Sequence, residues 1–202
     1  GVKYQSANFI FSGAIFTYEY SDYQQSYTDQ ETMQSITVTV GDSTMSGIEG
    51  MATYNYSDTL TFTASLGFLD AEFADNTSDG SPFQYGGNKF RLAPEVSGAI
   101  NINKVVHFDN WTMDVNWLTS FQSEVFFESS NYPGMSQDTY SLTDFSLKLN
   151  RESSEFAYEF YVNNLFDKEF LIDAGNTGGG LGIPTFVRGM PRIAGVRVYY
   201  EF

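Results

Sequence analysis

The sequence predicts an all-β chain of antiparallel strands that cross a membrane as part of a β-barrel, and three observations predict it. The first is the stretch Arg192 to Phe202. Ala194, Val196, Val198, Tyr200 and Phe202 alternate there with Gly195, Arg197, Tyr199 and Glu201. A period of two means a strand with two unlike faces. An apolar face for lipid, a polar face for a lumen and an aromatic end are the pattern of a closing barrel strand. The second observation is that this alternation recurs along the whole chain in long segments. The third is an aromatic content of 17%, with 19 Phe and 14 Tyr, which suits aromatic girdles at two membrane interfaces.

Composition bounds the alternatives. A length of 202 residues suits one domain. Mean hydropathy is −0.26, and no run of about 18 apolar residues offers a transmembrane helix. A barrel passes that test because it hides its hydrophobicity in alternation. Cysteine is absent, which excludes disulfides, thiol catalysis and cysteine metal sites. A net charge of −15 argues against nucleic-acid binding. It suits solvated loops, or a surface that meets cations or neutral ligands. The chain opens on Gly1 with no signal segment. An exported protein needs one, so the expectation is a removed signal or a piece of a longer chain.

The predicted strands follow in order. Segment one, Phe9 to Tyr20, sets Ile10, Ala14, Phe16, Tyr18 and Tyr20 on one face and Thr17 and Glu19 on the other. Segment two, Ser35 to Tyr56, sets Ile36, Val38, Val40, Ile48, Ala52, Tyr54 and Tyr56 against Glu49, Thr53 and Asn55. Segment three, Thr59 to Phe68, alternates Leu60, Phe62, Ala64, Leu66 and Phe68 with threonines and serine. Segment four, Ala93 to Asn103, sets Val96, Ile100 and Ile102 against Glu95, Ser97, Asn101 and Asn103. Segment five alternates Trp111, Met113, Val115, Trp117, Thr119 and Phe121 with Thr112, Asp114, Asn116, Ser120, Gln122 and Glu124. Segment six sets Phe145, Leu147 and Leu149 against Asp144, Ser146 and Lys148. Segment seven sets Phe156, Tyr158, Phe160 and Val162 against Glu159 and Asn163. Segment eight is the terminal strand.

These segments exceed the five or six residues usual in soluble sheets and reach the roughly nine to eleven that cross a bilayer at a tilt. Short connections fall near Ser57-Asp58, His107 to Asn110 and Arg151 to Ser154. Long ones fall at Ser21 to Gln34, Ala74 to Leu92, Glu128 to Thr139 and Leu171 to Met190. Short turns at one end and long loops at the other are the outer-membrane arrangement, with the short side periplasmic.

Specific residues then point to a family. Tyr161-Val-Asn-Asn-Leu-Phe-Asp-Lys-Glu-Phe170 resembles the strand exit of TonB-dependent outer-membrane receptors. As in that family, it is followed by a loop containing Gly189-Met-Pro-Arg192 and a final strand ending in Phe. Phe16-Thr-Tyr-Glu-Tyr-Ser-Asp-Tyr-Gln24, Gly47-Ile-Glu-Gly50 and Gly87-Asn-Lys-Phe-Arg-Leu-Ala-Pro94 resemble three further family segments, in family order. The resemblance covers essentially the whole chain.

That family combines an amino-terminal plug with a 22-stranded barrel. The resemblance therefore implies that residues 1–202, with about eight strands, are the carboxyl-terminal part of such a barrel, with Gly1-Val-Lys3 as the tail of a preceding strand. No plug-like segment and no TonB-contacting box occur in this sequence. An isolated part of a wide barrel has two unpaired edges and cannot sit alone in lipid. The implied partners are the rest of the barrel and the plug, outer-membrane lipid and lipopolysaccharide, TonB through the amino-terminal part, and the barrel-assembly machinery. The implied function is TonB-powered uptake of a scarce ligand of the ferric siderophore, cobalamin or glycan type. By the same resemblance, Val198, Tyr200 and Phe202 form an assembly signal; aromatics at the interface explain them equally.

The candidate site residues divide into two sets. Glu49, Asp114, Glu124, Asp144, Lys148, Glu159, Arg197 and Glu201 fall on the expected lumen face, either as a solvated wall that bonds the plug or as a substrate path. Tyr23, Tyr27, Phe83, Tyr85 and Tyr132 lie in long connections, where they either stack on a ligand or belong to the outer girdle. No enzyme is expected. His107 is the only histidine and falls at a short turn, away from partners that a triad or metal site needs. Asp75 to Gly80 has the look of a calcium loop but lacks its bidentate Glu, since position 86 is Gly. Gly178-Gly-Gly180 and Gly182 lack the strand-then-helix setting of a phosphate loop and read as loop flexibility. No cofactor or metal is expected.

One alternative keeps the fold and changes the role. Eight strands suffice to close a small barrel filled by side chains, serving membrane stability or adhesion. It requires the first strand to pair with the last.

Overall fold

The computed structural model describes residues 1–28, 32, 34–74, 85–175 and 184–201, with the side chains of Tyr27 and Thr28 outside the description. The chain forms β1 (Val2–Gln5), β2 (Phe9–Thr28), β3 (Ser35–Ser57), β4 (Leu60–Phe73), β5 (Val96–Phe108), β6 (Trp111–Gln122), β7 (Val125–Phe126), β8 (Ser136–Gln137), β9 (Tyr140–Arg151), β10 (Phe156–Asn163), β11 (Leu171–Gly175), β12 (Thr185–Arg188) and β13 (Ile193–Tyr200). Nine of these make one antiparallel sheet in the order β1-β2-β3-β4-β5-β6-β9-β10-β13. The eight predicted segments are β2, β3, β4, β5, β6, β9, β10 and β13. The ninth strand, β1, is the Gly1-Val-Lys3 tail extended to Gln5, and it pairs with β2 from Val2↔Gly13 to Gln5↔Ile10. The described sheet is open, since β1 and β13 lie at opposite ends of the order.

Directly paired residues share a face, so the registers sort every strand. One face runs through Val2, Phe11, Ile15, Ile48, Phe62, Leu66, Phe68, Ile100, Ile102, Trp117, Phe145, Leu147, Phe160, Val196 and Val198. It is apolar from edge to edge, and Ile15 is 79% exposed on it. Exposed apolar surface of this extent marks an interaction face, and its alternation with a polar face is the pattern of barrel strands. On β6 the run from Trp111 to Phe121 covers about 33 Å at ~3.3 Å per residue. At a tilt of about 40° its height is about 25 Å, the thickness of an outer-membrane apolar band.

Aromatic and basic side chains cluster on the band. At the short-turn end, the Arg151 guanidinium lies 5.7 Å from the Trp111 ring centre and Phe156 packs on Tyr200 at 4.9 Å. The Lys104 ammonium donates to Thr59 Oγ1 at 2.8 Å. These long basic side chains lie along apolar surface and hold their charge at the edge. Further along the band Trp117 stands edge-on to both Phe145 and Phe166.

Two sequence expectations are corrected. Segment one was assigned the wrong face. Ile15 pairs with Ile48 and Phe11 with Ala52, whereas Ala14 pairs with Glu49 and Ile10 with Thr53. From Phe9 to Glu19 the odd residues of β2 therefore lie on the apolar face, and Ile10, Ala14, Phe16, Tyr18 and Tyr20 on the polar one. The polar face tolerates these aromatics because Phe16 lies across Gly47, where a Cβ would stand 2.6 Å from the ring. Tyr18 packs beside Phe16, and Tyr20 beside Tyr18.

The second correction concerns Ile36, Val38 and Val40, which were grouped with Ile48. The β2–β3 register slips between Tyr20 and Tyr23 and again between Tyr23 and Gln24. Asp22 there has φ 55° and Gly41 φ 131°, and the Asp22 N–H donates to Asp42 Oδ1 at 3.1 Å. After both bulges, Val38 pairs with Gln25 and Ile36 with Tyr27, which puts them on the face of Tyr23. The apolar side chains thus change sides where the strands pass the band, since beyond lipid they gain only by packing inward.

Candidate functional site

The polar face carries the candidate wall residues. Register places Asp114, Lys148, Glu159 and Arg197 in one transverse row across β6, β9, β10 and β13. Charge alternates along this row, so each residue neighbours opposite charge. The Arg197 guanidinium donates to Glu159 Oε2 at 3.1 Å and lies 4.0 Å from the Tyr161 ring centre. The Tyr199 hydroxyl also donates to Glu159 Oε2. Lys148 sits 4.8 Å over the Tyr199 ring, and Asn150 donates to Asp114 Oδ2 at 3.4 Å. The row is neutralised within the wall itself.

Away from that row the wall is sparse. Lys3, Ser12, Ala14, Glu49, Met51, Ser65, Gly67 and Ser97 line a hollow of about 800 Å³ across β1 to β5. Glu49 is exposed there. Between the two regions, Asn101 and Asn116 exchange side-chain amide bonds at 3.2 and 3.3 Å. Glu124 and Glu201 are exposed and follow β6 and β13; the Glu201 N–H donates to the Glu155 carbonyl, extending the β10–β13 ladder.

Asp144 has a different role. Its Oδ1 accepts the Asn164 N–H at 2.8 Å. Asn164, 5% exposed, has φ 51°. Its side chain accepts from the Lys168 N–H and donates to the carbonyls of Lys168 and Met190. Asp167 Oδ1 accepts the Arg192 N–H at 2.9 Å. The motif Asn163-Asn-Leu-Phe-Asp167 therefore ties the exit of β10 to Met190 and Arg192 at the entrance of β13. An asparagine tolerates the left-handed backbone and supplies both a donor and an acceptor.

The loop aromatics separate. Tyr23 stands edge-on to Phe73 at 5.4 Å and against Phe90 at 5.8 Å, and Tyr85 packs on Phe73 at 5.5 Å. Phe73 is 3% exposed. Tyr23 and Tyr85 thus belong to a packed cluster at the long-loop end of the polar face. Burial first and the Glu128 charge second push the Tyr85 hydroxyl above its ordinary value. Tyr132 is 63% exposed. Phe83, Phe202, Asp75 to Gly80, Gly178 to Gly180, Gly182 and the Tyr27 side chain lie outside the described residues. Val198 and Tyr200 lie on the apolar face of β13. His107 Nδ1 is 3.1 Å from Thr112 Oγ1 beside a short turn. Among the described residues no three His, Cys, Asp or Glu side chains converge as metal ligands.

Sequence reasoning missed Lys89. Its ammonium meets Glu95 at 2.9 Å, Glu72 at 3.0 Å and Asp70 at 3.2 Å. It also missed Phe73 and Phe90, whose ring centres are 4.7 Å apart. The segment Gly87 to Pro94 contained the signal: a lysine and a phenylalanine amid turn residues, following a strand that ends in acidic residues.

Comparison with known proteins agrees with this architecture. The family model described as TonB dependent receptor-like, beta-barrel, matches residues 1–165. The ferric yersiniabactin uptake receptor FyuA from Yersinia pestis superposes with a TM-score of 0.83 at 19% identity, covering 99% of this chain and 28% of that one. The ferric preacinetobactin receptor BauA from Acinetobacter baumannii gives 0.73 at 16%, covering 99% and 28%. The ferric citrate transporter FecA gives 0.73 at 18%, covering 99% and 30%. This chain spans under a third of each of those receptors. No curated protein sequence matches it.

Proposed function

Since the chain belongs to the TonB-dependent receptor β-barrel family, we propose that it is the carboxyl-terminal third of an outer-membrane receptor that takes up a scarce ligand with energy delivered through TonB. The family consists of transport receptors rather than enzymes. The observation that carries the reading is the two-faced open sheet. Its apolar band is about 25 Å tall at the tilt of a barrel strand, and among the described strands its edges are β1 and β13. Those edges are the seams where the remaining strands pair, because unpaired backbone has no partner in lipid.

The polar face is then the lumen wall. The neutralised row from Asp114 to Arg197 and the sparse hollow around Glu49 border the plug and the passage. Among the described candidates Tyr132 is the aromatic placed to touch ligand at the mouth, since Tyr23 and Tyr85 are committed to packing. Similar receptors are described as a ferric yersiniabactin uptake receptor, a siderophore receptor and a ferric citrate transporter, and one is a copper transporter. The ligand here is of the ferric siderophore, cobalamin or glycan class. Val198, Tyr200 and Phe202 serve the barrel-assembly machinery.

The first test is the intact mass of the polypeptide extracted from outer membranes. A mass several-fold above 22.7 kDa supports the receptor. A mass near that value favours the small self-contained barrel and removes most support for transport. Ligand uptake by cells with and without the receptor, under iron limitation, then tests the ligand class.

A further inference from the structure

We propose that the described parts of three successive long connections, those following β4, β6 and β10, behave as one body at the mouth of the proposed receptor, with Asn131 as the latch. The connection after β6 is the middle one. Its β7–β8 hairpin encloses Phe127, 2% exposed, with Val125 and Met135, and Ala174 and Leu171 of the third connection complete this small core. The Leu171 N–H donates to Gln137 Oε1, and Phe170 stacks on Tyr140 at 4.9 Å. The second and third connections therefore share apolar packing.

Asn131 joins the first connection to that pair. Its Oδ1 accepts the Lys89 N–H at 2.7 Å, and its Nδ2 donates to the Lys89 carbonyl at 2.9 Å. The side-chain amide takes the place of a neighbouring strand's peptide group. On its other side Lys89 forms a β-bridge with Glu72. Lys89 is thus a one-residue strand held between β4 and the Asn131 side chain. Asn88 Nδ2 donates to the Ser129 carbonyl and the Leu92 N–H to the Phe126 carbonyl. Asn131 holds φ 48°, a backbone state that costs energy and persists where surrounding contacts require it. Connections tied in this way open together or not at all. A mouth assembled before ligand arrives loses less entropy on binding.

Amide hydrogen exchange on the whole receptor in detergent tests this. Asn131→Ala removes both bonds to Lys89 and the Nδ2 bond to the Glu128 carbonyl; Asn131→Asp keeps the acceptor for the Lys89 N–H and removes the donor. The expected result for Asn131→Ala is exchange faster by about tenfold in residues 85–95, 123–137 and 168–175 alike, with β5, β6 and β9 unchanged. Asn131→Asp, which sets a carboxylate oxygen against the Lys89 and Glu128 carbonyls, also accelerates exchange over the same three stretches. Acceleration confined to residues 85–95, or none in either variant, overturns the proposal. If Asn131→Ala also loosens β5, β6 and β9, the Asp variant alone decides by the same criterion.

Discussion

Arg197 and Glu159 stand directly opposite one another on β13 and β10, with Arg197 Nη1 3.1 Å from Glu159 Oε2. In the described sheet β13 pairs with β10 alone, so the contacts that fix its register here are those to β10. A slip of one residue would turn every side chain of β13 to the wrong face. The pair sits on the polar face, where a mismatch would bring Arg197 against apolar neighbours. Glu159→Arg and Arg197→Glu are each expected to lower the thermal unfolding temperature of the receptor by a few degrees. The double exchange restores part of the loss and not all of it, because an arginine at position 159 then stands opposite Lys148 and the Tyr199 hydroxyl loses its acceptor. Heat-modified gel mobility measures this; a double exchange no better than the singles would show that the ion pair does not hold the register.

Tyr161 and Gly195, also directly paired, hold the same strand by shape. A Cβ at Gly195 would stand 2.6 Å from the Tyr161 ring. Arg197 covers that ring, so it has little room to move aside. Gly195→Ala is expected to cost about 1–3 kcal/mol, the usual range for overpacking. In a Tyr161→Ala background the same change costs much less, because the obstructing ring is gone. Equal costs in both backgrounds, measured by urea unfolding in detergent, would refute the contact.

How far such features are legible in sequence depends on contrast between the two faces. On β6 the contrast is clean, Trp111 to Phe121 against Thr112 to Gln122, and both the strand and its faces are readable. On β2 both parities carry apolar residues. Phe16 needs Gly47 beneath it, and Gly47 lies on another strand, so only the pairing reveals which face is which. The bulges at Tyr23 and Gly41 leave no local mark beyond an Asp and a Gly. The charged row was legible as residues, not as a row, because its members come from four strands. The Lys89 clamp and the Asn131 latch depend on connections folding back on β4, and strand periodicity contains no information about that.

The Lys89 clamp makes a pH prediction. The hydrogen bond to Glu95 first, then that to Glu72, holds the Lys89 ammonium well above the usual lysine range, with desolvation opposing. A raised folded-state pKa stabilises fully below the unfolded value of about 10.4 and is lost as pH rises through the higher folded value. The clamp should therefore be unchanged from about pH 7 to pH 10. Its side chain is 30% exposed, so solvent screening keeps its worth below about 1 kcal/mol. Lys89→Met leaves Asp70, Glu72 and Glu95 repelling one another. Limited proteolysis should then cut within residues 85–95 faster than in the parent at neutral pH. Equal cutting rates would deny the clamp its role.

The face of β2 can be decided chemically, because the chain contains no cysteine. Ile15 pairs with Ile48 on the apolar face, and Ala14 pairs with Glu49 in the hollow of the polar face. Single cysteines at these adjacent positions point to opposite solvents, since successive side chains of a strand alternate. In a cysteine-free receptor in its membrane, Ala14→Cys should react with a charged, water-soluble maleimide. Ile15→Cys should resist it and react with an apolar reagent that partitions into lipid. The reverse pattern would restore the even-numbered residues of β2 to the lipid face. It would require the β2–β3 register, and with it the placement of Phe16 over Gly47, to be shifted by one residue.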